Sequence, residues 1–221
     1  MAKKRLRKKD FKEDHLVTIA LKTSNFIQKH FTQVISGVVI LVAAIGIILF
    51  TANARRNTAA EAEQQQALAM DQFMLRNYRA ASTTFLTIAD RYSSHKVGVV
   101  SMYFLGECYL ALYRYQDAID AYDRYLRRAG EEAPFRVAAR IGKAYSHEGL
   151  TQFQAAAEEL EDLADTMDPG DVRYANVLFS AGLFYEETGD VTRALGFYDK
   201  VAEIATGPLK SRVDVKMALL K

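Results

Sequence analysis

The chain has 221 residues, half of them hydrophobic, with only three prolines and twelve glycines, which excludes a disordered chain. Ala, Leu, Arg, Glu and Gln fill most of the sequence after residue 58 and favour helix over sheet, so we expect an all-α fold. The net charge of +2 is divided unevenly: nine Lys and Arg face three acids in residues 1–33, whereas eighteen face twenty-four from residue 57 onward. The large, mildly acidic part argues against nucleic-acid binding.

The basic residues at the N-terminus form a tail, residues 1–33. Its run Lys3–Lys9 indicates an orientation signal that contacts anionic lipid headgroups. Between Leu16 and Phe31, apolar residues fall near one face of a helix. This amphipathic segment predicts either an interfacial helix or a cytoplasmic extension of the membrane span that follows.

An uncharged apolar run follows the tail, VISGVVILVAAIGIILFTA at residues 34–52. As a helix, these nineteen residues rise roughly 28 Å, close to the hydrocarbon thickness of a bilayer. The excess of Lys and Arg in the tail predicts a cytoplasmic N-terminus. We therefore expect a single-pass membrane protein with the residues after the span outside the cytoplasm, which in a Gram-negative cell is the periplasm.

The sequence Ala52-Asn53-Ala54 offers an alternative, because small residues at these positions match a signal-peptidase site. Secretory signals, however, have an apolar region of about 7–15 residues behind a short basic segment. The longer run and the thirty-three-residue tail favour an uncleaved signal anchor, followed by a juxtamembrane linker at 53–61.

Internal repeats fill the region after the linker, where a Gly is followed three residues later by Tyr in three segments. The pairs are Gly106/Tyr109, Gly142/Tyr145 and Gly182/Tyr185, and Ala118, Ala156 and Ala194 recur at a constant step of 38. This pattern predicts helical hairpins at about 99–130, 135–166 and 175–206. Gly130 with Pro134, Pro169-Gly170 and Gly207-Pro208 fall between them as breakers.

Three details refine this prediction. A degenerate first hairpin covers about 62–95, with Ala69 and Gln72 in place of the Gly and Tyr, and a cap covers 209–221. Gly149 and Gly189 can end the first helices of their hairpins in a left-handed conformation. Two extra residues between Tyr145 and Phe153 predict a longer turn in the third hairpin.

These residues resemble the tetratricopeptide repeat, in which a small residue and Tyr occupy the first helix, Gly the turn, and Ala then a large apolar residue the second. The resemblance implies an α-solenoid of about four hairpins with a capping helix, whose first helices form a concave protein-binding groove. The groove positions implied by the repeat register are Tyr103, Glu107, Arg136, Arg140, Lys143, Asn176, Phe179 and Leu183.

The three cations of the third hairpin, Arg136, Arg140 and Lys143, are spaced to share one side of a helix. They either hold a carboxylate of a partner or form ordinary solvated surface. The two-lysine, two-asparagine arrangement by which some chaperone-binding relatives hold a C-terminal carboxylate is absent.

No catalytic constellation is evident, since the four histidines are scattered and no HExxH, GxSxG or phosphate-binding loop occurs. The chain has a single cysteine, Cys108, and so cannot form an internal disulfide. We predict that Cys108 is a small, buried hydrophobic residue. The sequence therefore predicts a non-enzymatic protein with no cofactor and no metal.

The layout of tail, anchor, repeats and a closing segment with Pro208, Leu209, Val215, Lys216, Met217 and Leu219 resembles the bacterial inner-membrane repeat family that accompanies the Sec translocon. That resemblance implies a chaperone-like accessory to protein translocation, with translocon subunits, a periplasmic foldase or secreted clients as partners. The alternative is a structural scaffold in a fixed cell-envelope complex.

Overall fold

A computed structural model of the protein describes residues 31–220, apart from the side chains of 31, 34 and 51–59. The predicted basic tail, up to residue 30, and most of the amphipathic segment lie outside these residues. The described residues form helices and no strand, which confirms the all-α prediction. The chain divides into two compact units, Met1–Thr58 and Ala59–Lys221.

Nine helices cover the described part of the chain, and short turns connect them. They are α1 (Phe31–Met74), α2 (Tyr78–Arg91), α3 (Lys96–Ala111), α4 (Tyr115–Arg128), α5 (Arg136–Gly149), α6 (Phe153–Thr166), α7 (Tyr174–Thr188), α8 (Val191–Ile204) and α9 (Gly207–Leu220).

Helix α1 contains the apolar run and also the residues predicted as a linker, 53–61. The linker is helical because the sequence from residue 58 onward is rich in Ala, Glu and Gln, which favour helix. Among the residues whose side chains are described, no helix combines the length and the apolarity that crossing a membrane requires. The predicted span also includes residues 34, 51 and 52, whose side chains lie outside that set.

In the second unit, each helix from α2 to α9 packs against the next one along the chain, and α3 also contacts α5. This is the pattern expected of stacked hairpins, in which the first helices of neighbouring repeats meet. Side-chain caps start two of the helices: Asn77 accepts a hydrogen bond from the Ala80 amide at 3.4 Å and Asp190 from the Arg193 amide at 3.0 Å.

The buried side chains form two clusters along the array. The first runs from Ala62 to Ala139 and the second from Ala144 to Val213. Helix α5 contributes to both clusters: Ala138 and Ala139 pack with the first, whereas Val137, Ile141 and Ala144 pack with the second.

Glycines on the first helices allow tyrosines of the second helices to approach closely. A Cβ on Gly106 or on Gly142 would come within 2.5 Å of the buried Tyr122 side chain, and one on Gly182 within 2.7 Å of Tyr198. The ring of Tyr122 therefore lies against the backbones of both α3 and α5. This contact is the physical reason for the Gly in the repeat pattern.

The turn inside each hairpin uses one residue in the left-handed conformation, always two positions before the next helix. These residues are Arg76 (φ 58°), Tyr113 (φ 60°), Thr151 (φ 58°) and Gly189 (φ 82°). The prediction for Gly189 is confirmed, but that for Gly149 is wrong, because Thr151 takes the left-handed position. Gly149 ends α5, where a Cβ would come within 2.3 Å of the Tyr115 ring.

Two other details differ from the sequence-based expectation. The two extra residues of the third hairpin extend the C-terminal end of α5 beyond Tyr145 and do not lengthen its turn, since three residues separate α5 from α6 and three also separate α3 from α4. Helix α9 begins at Gly207 and so includes Pro208. Proline is tolerated there because the first turn of a helix has no intrahelical partner for its N–H.

Replacing Thr151 by glycine should raise the free energy of unfolding by about 1 kcal/mol, because a β-branched residue with positive φ is sterically strained. The matched change Gly189→Thr should lower the free energy of unfolding by a similar amount, about 1 kcal/mol or more. Urea denaturation followed by circular dichroism measures both. Equal effects of the same sign would contradict the assignment of these two positions.

Candidate protein-binding groove

The first two predicted groove residues, on α3, take part in internal contacts. Tyr103 is buried and stacks on Phe135 with ring centroids 4.5 Å apart. Glu107 accepts a hydrogen bond from the Tyr122 hydroxyl at 2.7 Å. Burial raises the pKa of Glu107, and the hydrogen bonds from Tyr122 and Tyr103 only partly offset that effect. Tyr103 and Glu107 therefore serve mainly to join neighbouring helices, and they offer little surface to a partner.

The three cations of α5 are brought to one side of the helix, but each is paired with an acid of the chain. Arg136 lies 3.0 Å from Glu131, and Arg140 lies 2.6 Å from Glu159. Lys143 bridges Asp123 at 3.0 Å and Glu159 at 3.1 Å. The carboxylate expected from a partner is thus supplied from within the array.

The burial of Arg140, Lys143 and Glu159, which together form an ion cluster, supports their role inside the array. The side chains of Arg140, Lys143 and Glu159 retain only 18%, 21% and 14% of their exposure. Burial alone would lower the pKa of Lys143, but the carboxylates of Asp123 and Glu159 outweigh it and raise that pKa. A charge reversal at these positions would first break the array's own ion pairs.

A cavity of about 360 Å³ beside this cluster is lined by Arg136, Arg140 and Arg173 together with several acids. Two hydrogen bonds join Arg173 to Asp171, at 2.9 and 2.6 Å, and lower the pKa of Asp171 to about 2. The positive and negative charges that line this cavity therefore largely cancel.

Of the three predicted residues of α7, Asn176 is exposed and Leu183 partly exposed, whereas Phe179 is buried. Asn176 lines a small recess with Tyr145 and Ser180, whose hydroxyls lie 3.2 Å apart. Phe179 and Leu183 line a larger groove between α7 and α9, which we call the C-terminal groove.

The C-terminal groove has a volume of about 380 Å³ and an almost wholly apolar floor. Its lining residues are Phe179, Leu183, Ser211, Arg212, Val215, Lys216 and Leu219. Val215 and Leu219 remain 59% and 76% exposed, unusually high values for large apolar side chains on a packed helix.

The α9 side of this groove was not predicted, although the sequence contains the signal. One apolar face of α9, formed by Val213, Met217 and Leu220, packs on the second cluster. Arg212, Val215 and Leu219 follow the spacing i, i+3, i+7 and mark a second face about a third of a turn away.

The two cations of the C-terminal groove differ in their partners. Lys216 lies 2.8 Å from Glu186, which also accepts a hydrogen bond from the Tyr198 hydroxyl at 2.7 Å. Burial would raise the pKa of Glu186, but the bonds from Lys216 and Tyr198 outweigh it and lower that pKa. Arg212 instead lies over the Phe179 ring, 4.5 Å from its centroid, and none of the ion pairs of the described residues includes it.

The single cysteine should be inert in the folded protein. Cys108 is fully buried on α3, and burial, followed by the nearby charge of Glu107, raises its thiol pKa to about 12. At pH 8.5 we expect iodoacetamide to label Cys108 only after unfolding in urea, as mass spectrometry of intact protein can measure. Rapid labelling without urea would contradict this burial.

An array of packed helical hairpins with an open apolar groove between α7 and the capping helix α9 is typical of repeat proteins that bind other proteins. The sequence model of the tetratricopeptide repeat family matches residues 66–134 and 141–208, more than half of the chain. The chain therefore belongs to the tetratricopeptide repeat family, as its sequence predicted. The fold of this family typically serves as a non-enzymatic scaffold for protein–protein interaction.

Solved structures support the same fold. MamA (residues 41 to the end) from Desulfovibrio magneticus RS-1 is 15% identical with a TM-score of 0.58, and the match covers 72% of this chain and 82% of that one. BtubC (BKLC) from P. vanneervenii is 17% identical with a TM-score of 0.57, with coverage of 72% and 70%. At these identities the likeness concerns the fold alone. No curated protein matches the sequence.

Proposed function

We propose that the chain is a membrane-anchored interaction module that acts as a chaperone-like accessory to protein translocation at the Sec translocon. The open C-terminal groove carries the interaction part of this proposal, because it presents apolar surface to solvent at the end of the packed array. Emerging or partly folded chains expose apolar segments, and such segments fit a groove of this kind.

Anchoring is proposed from the apolar run of α1. Its described residues expose large apolar side chains on all sides, among them Val39, Leu41, Ile45, Ile48 and Phe50. A helix that is apolar all round is stable when lipid or protein surrounds it. The absence of charge from 34 to 52 is consistent with lipid.

Alkaline carbonate extraction of cell membranes tests the anchor. The wild-type chain should stay in the pellet, whereas a double variant with Leu41→Arg and Ile45→Arg should be released. Protease added to spheroplasts should digest the repeats but spare an epitope tag on the N-terminus. Release of full-length wild-type protein by carbonate would refute the anchor, and a protected repeat array would refute the proposed orientation.

The translocon assignment rests on the sequence layout, and co-purification tests it. Tagged full-length protein is extracted in mild detergent, and proteins that accompany it at comparable abundance are identified by mass spectrometry. Translocon subunits, a periplasmic foldase and secreted clients are expected. A fixed set of other envelope proteins, in constant stoichiometry, would instead favour the scaffold alternative.

A further inference from the structure

The C-terminal groove is chemically more selective than a general apolar surface. Its lining includes two cations, Arg212 and Lys216, and no carboxylate. Glu186 neutralises Lys216 from beside the groove, so the net charge of the lining comes from Arg212. A guanidinium fixed over the Phe179 ring presents its N–H donors next to the apolar floor.

The groove also has a defined length. The stripe of α9 runs from Arg212 to Leu219, which as a helix rises about 10 Å, or two turns. Phe179 and Leu183 form the parallel row on α7, one helical turn apart. A one-turn row on α7 opposite a two-turn row on α9 matches two apolar side chains at i and i+3 or i+4 on a partner helix.

We propose that the C-terminal groove binds an amphipathic helix of a partner protein that carries a carboxylate beside its apolar stripe. The apolar side chains lie between Leu183 and Leu219, and the carboxylate pairs with Arg212. Arginine suits this role because its planar donors match a carboxylate in a bidentate manner. This inference deepens the proposed function, on which it rests, by stating the chemistry of the partner.

Charge argues against other occupants. A second copy docked through the same groove about a two-fold axis would bring the uncompensated charge of Arg212 close to its own equivalent. The N-terminal tail carries nine basic residues against three acids and repels the same cation. An anionic membrane surface is opposed by the excess of acids from residue 57 onward, twenty-four against eighteen Lys and Arg.

Binding of two designed helical peptides tests the proposal. Both contain leucines at i, i+4 and i+7 on an Ala/Gln background, and they differ only in flanking positions, which are Glu in one and Lys in the other. Full-length protein in phosphatidylcholine nanodiscs is titrated into each fluorescent peptide. The Glu peptide should bind at least tenfold more tightly than the Lys peptide.

Matched variants locate the site. Arg212→Glu should abolish or reverse the preference for the Glu peptide, whereas Arg127→Glu, at an exposed position on α4, should leave it unchanged. Leu219→Gln should weaken binding at least tenfold, whereas Val172→Gln, in the exposed loop before α7, should not. Since these four side chains are exposed, circular dichroism should show unchanged folding for each variant.

Several results would overturn the proposal. They are equal binding of both peptides, insensitivity to Arg212→Glu or Leu219→Gln, and displacement of the Glu peptide by phosphatidylglycerol vesicles. Self-association of the wild-type protein that Leu219→Gln abolishes would assign the groove to a second copy. If peptide binding fails while co-purifying partners remain, only this inference fails. If the wild-type chain retains no partner at all, the proposed function fails with it.

Discussion

Replacing Tyr122 by alanine should lower the free energy of unfolding of the repeat array by about 3–5 kcal/mol, the range found for deleting a large buried ring. The side chain is fully buried and lies against the glycines of α3 and α5, Gly106 and Gly142. Its loss would leave a cavity that joins two hairpins. Urea denaturation of the full-length protein in dodecyl maltoside, followed by circular dichroism, measures the effect.

Two controls separate the ring from its hydroxyl and from general effects of tyrosine removal. Tyr122→Phe keeps the ring and removes only the hydrogen bond to Glu107, so it should cost about 1 kcal/mol. Tyr113→Ala removes an exposed ring and should change the free energy of unfolding by less than about 0.5 kcal/mol. A loss of under 1 kcal/mol for Tyr122→Ala would show that the ring is not packed as described.

Glu159→Ala should cost about 2–3 kcal/mol, somewhat less than the breaking of a fully buried ion pair, because the cluster retains some solvent contact. The change removes the acid that Arg140 and Lys143 share, so Arg140 loses its carboxylate and Lys143 keeps only that of Asp123. The same urea denaturation measures the loss.

Glu158→Ala is the matched control for this prediction. Glu158 is the adjacent residue of α6, is exposed, and accepts a hydrogen bond only from Gln154 among the described residues, so its loss should cost less than about 0.5 kcal/mol. Changing Arg140, Lys143 and Glu159 together to methionine should recover part of the stability, because only the partly exposed carboxylate of Asp123 then loses its partner. Equal costs for Glu158→Ala and Glu159→Ala would contradict the role of the cluster.

The repeat pattern predicted the hairpins because its spacing follows from packing. Gly106, Gly142 and Gly182 recur where a tyrosine ring meets a helix backbone, so the sequence preserves the position of each contact. The ends of helices were less predictable. At Gly149, the sequence cannot distinguish a glycine needed for a left-handed turn from one needed for close approach, since both exclude a side chain.

The groove residues were predicted only in part. The repeat register specifies which side of a helix a residue lies on, but not which acid it pairs with. Arg136, Arg140 and Lys143 share a side of α5 as expected. The acids that pair with them lie outside α5, so the spacing of residues along that helix does not reveal them. Phe179 and Leu183 do line a groove. Its opposite wall is the capping helix, which carries no repeat motif.

The division of the buried core within α5 has a consequence for how the array opens. Ala138 and Ala139 pack with the first hairpins, whereas Val137, Ile141 and Ala144 of the same helix pack with the last ones. Amide hydrogen exchange should therefore report two cooperative units, with α5 protected by whichever neighbour remains folded. A ligand in the C-terminal groove would slow amide exchange in α7 and α9 and leave the exchange rates of α2 and α3 unchanged. The exchange rates of α7 and α9 alone would therefore report whether the groove is occupied.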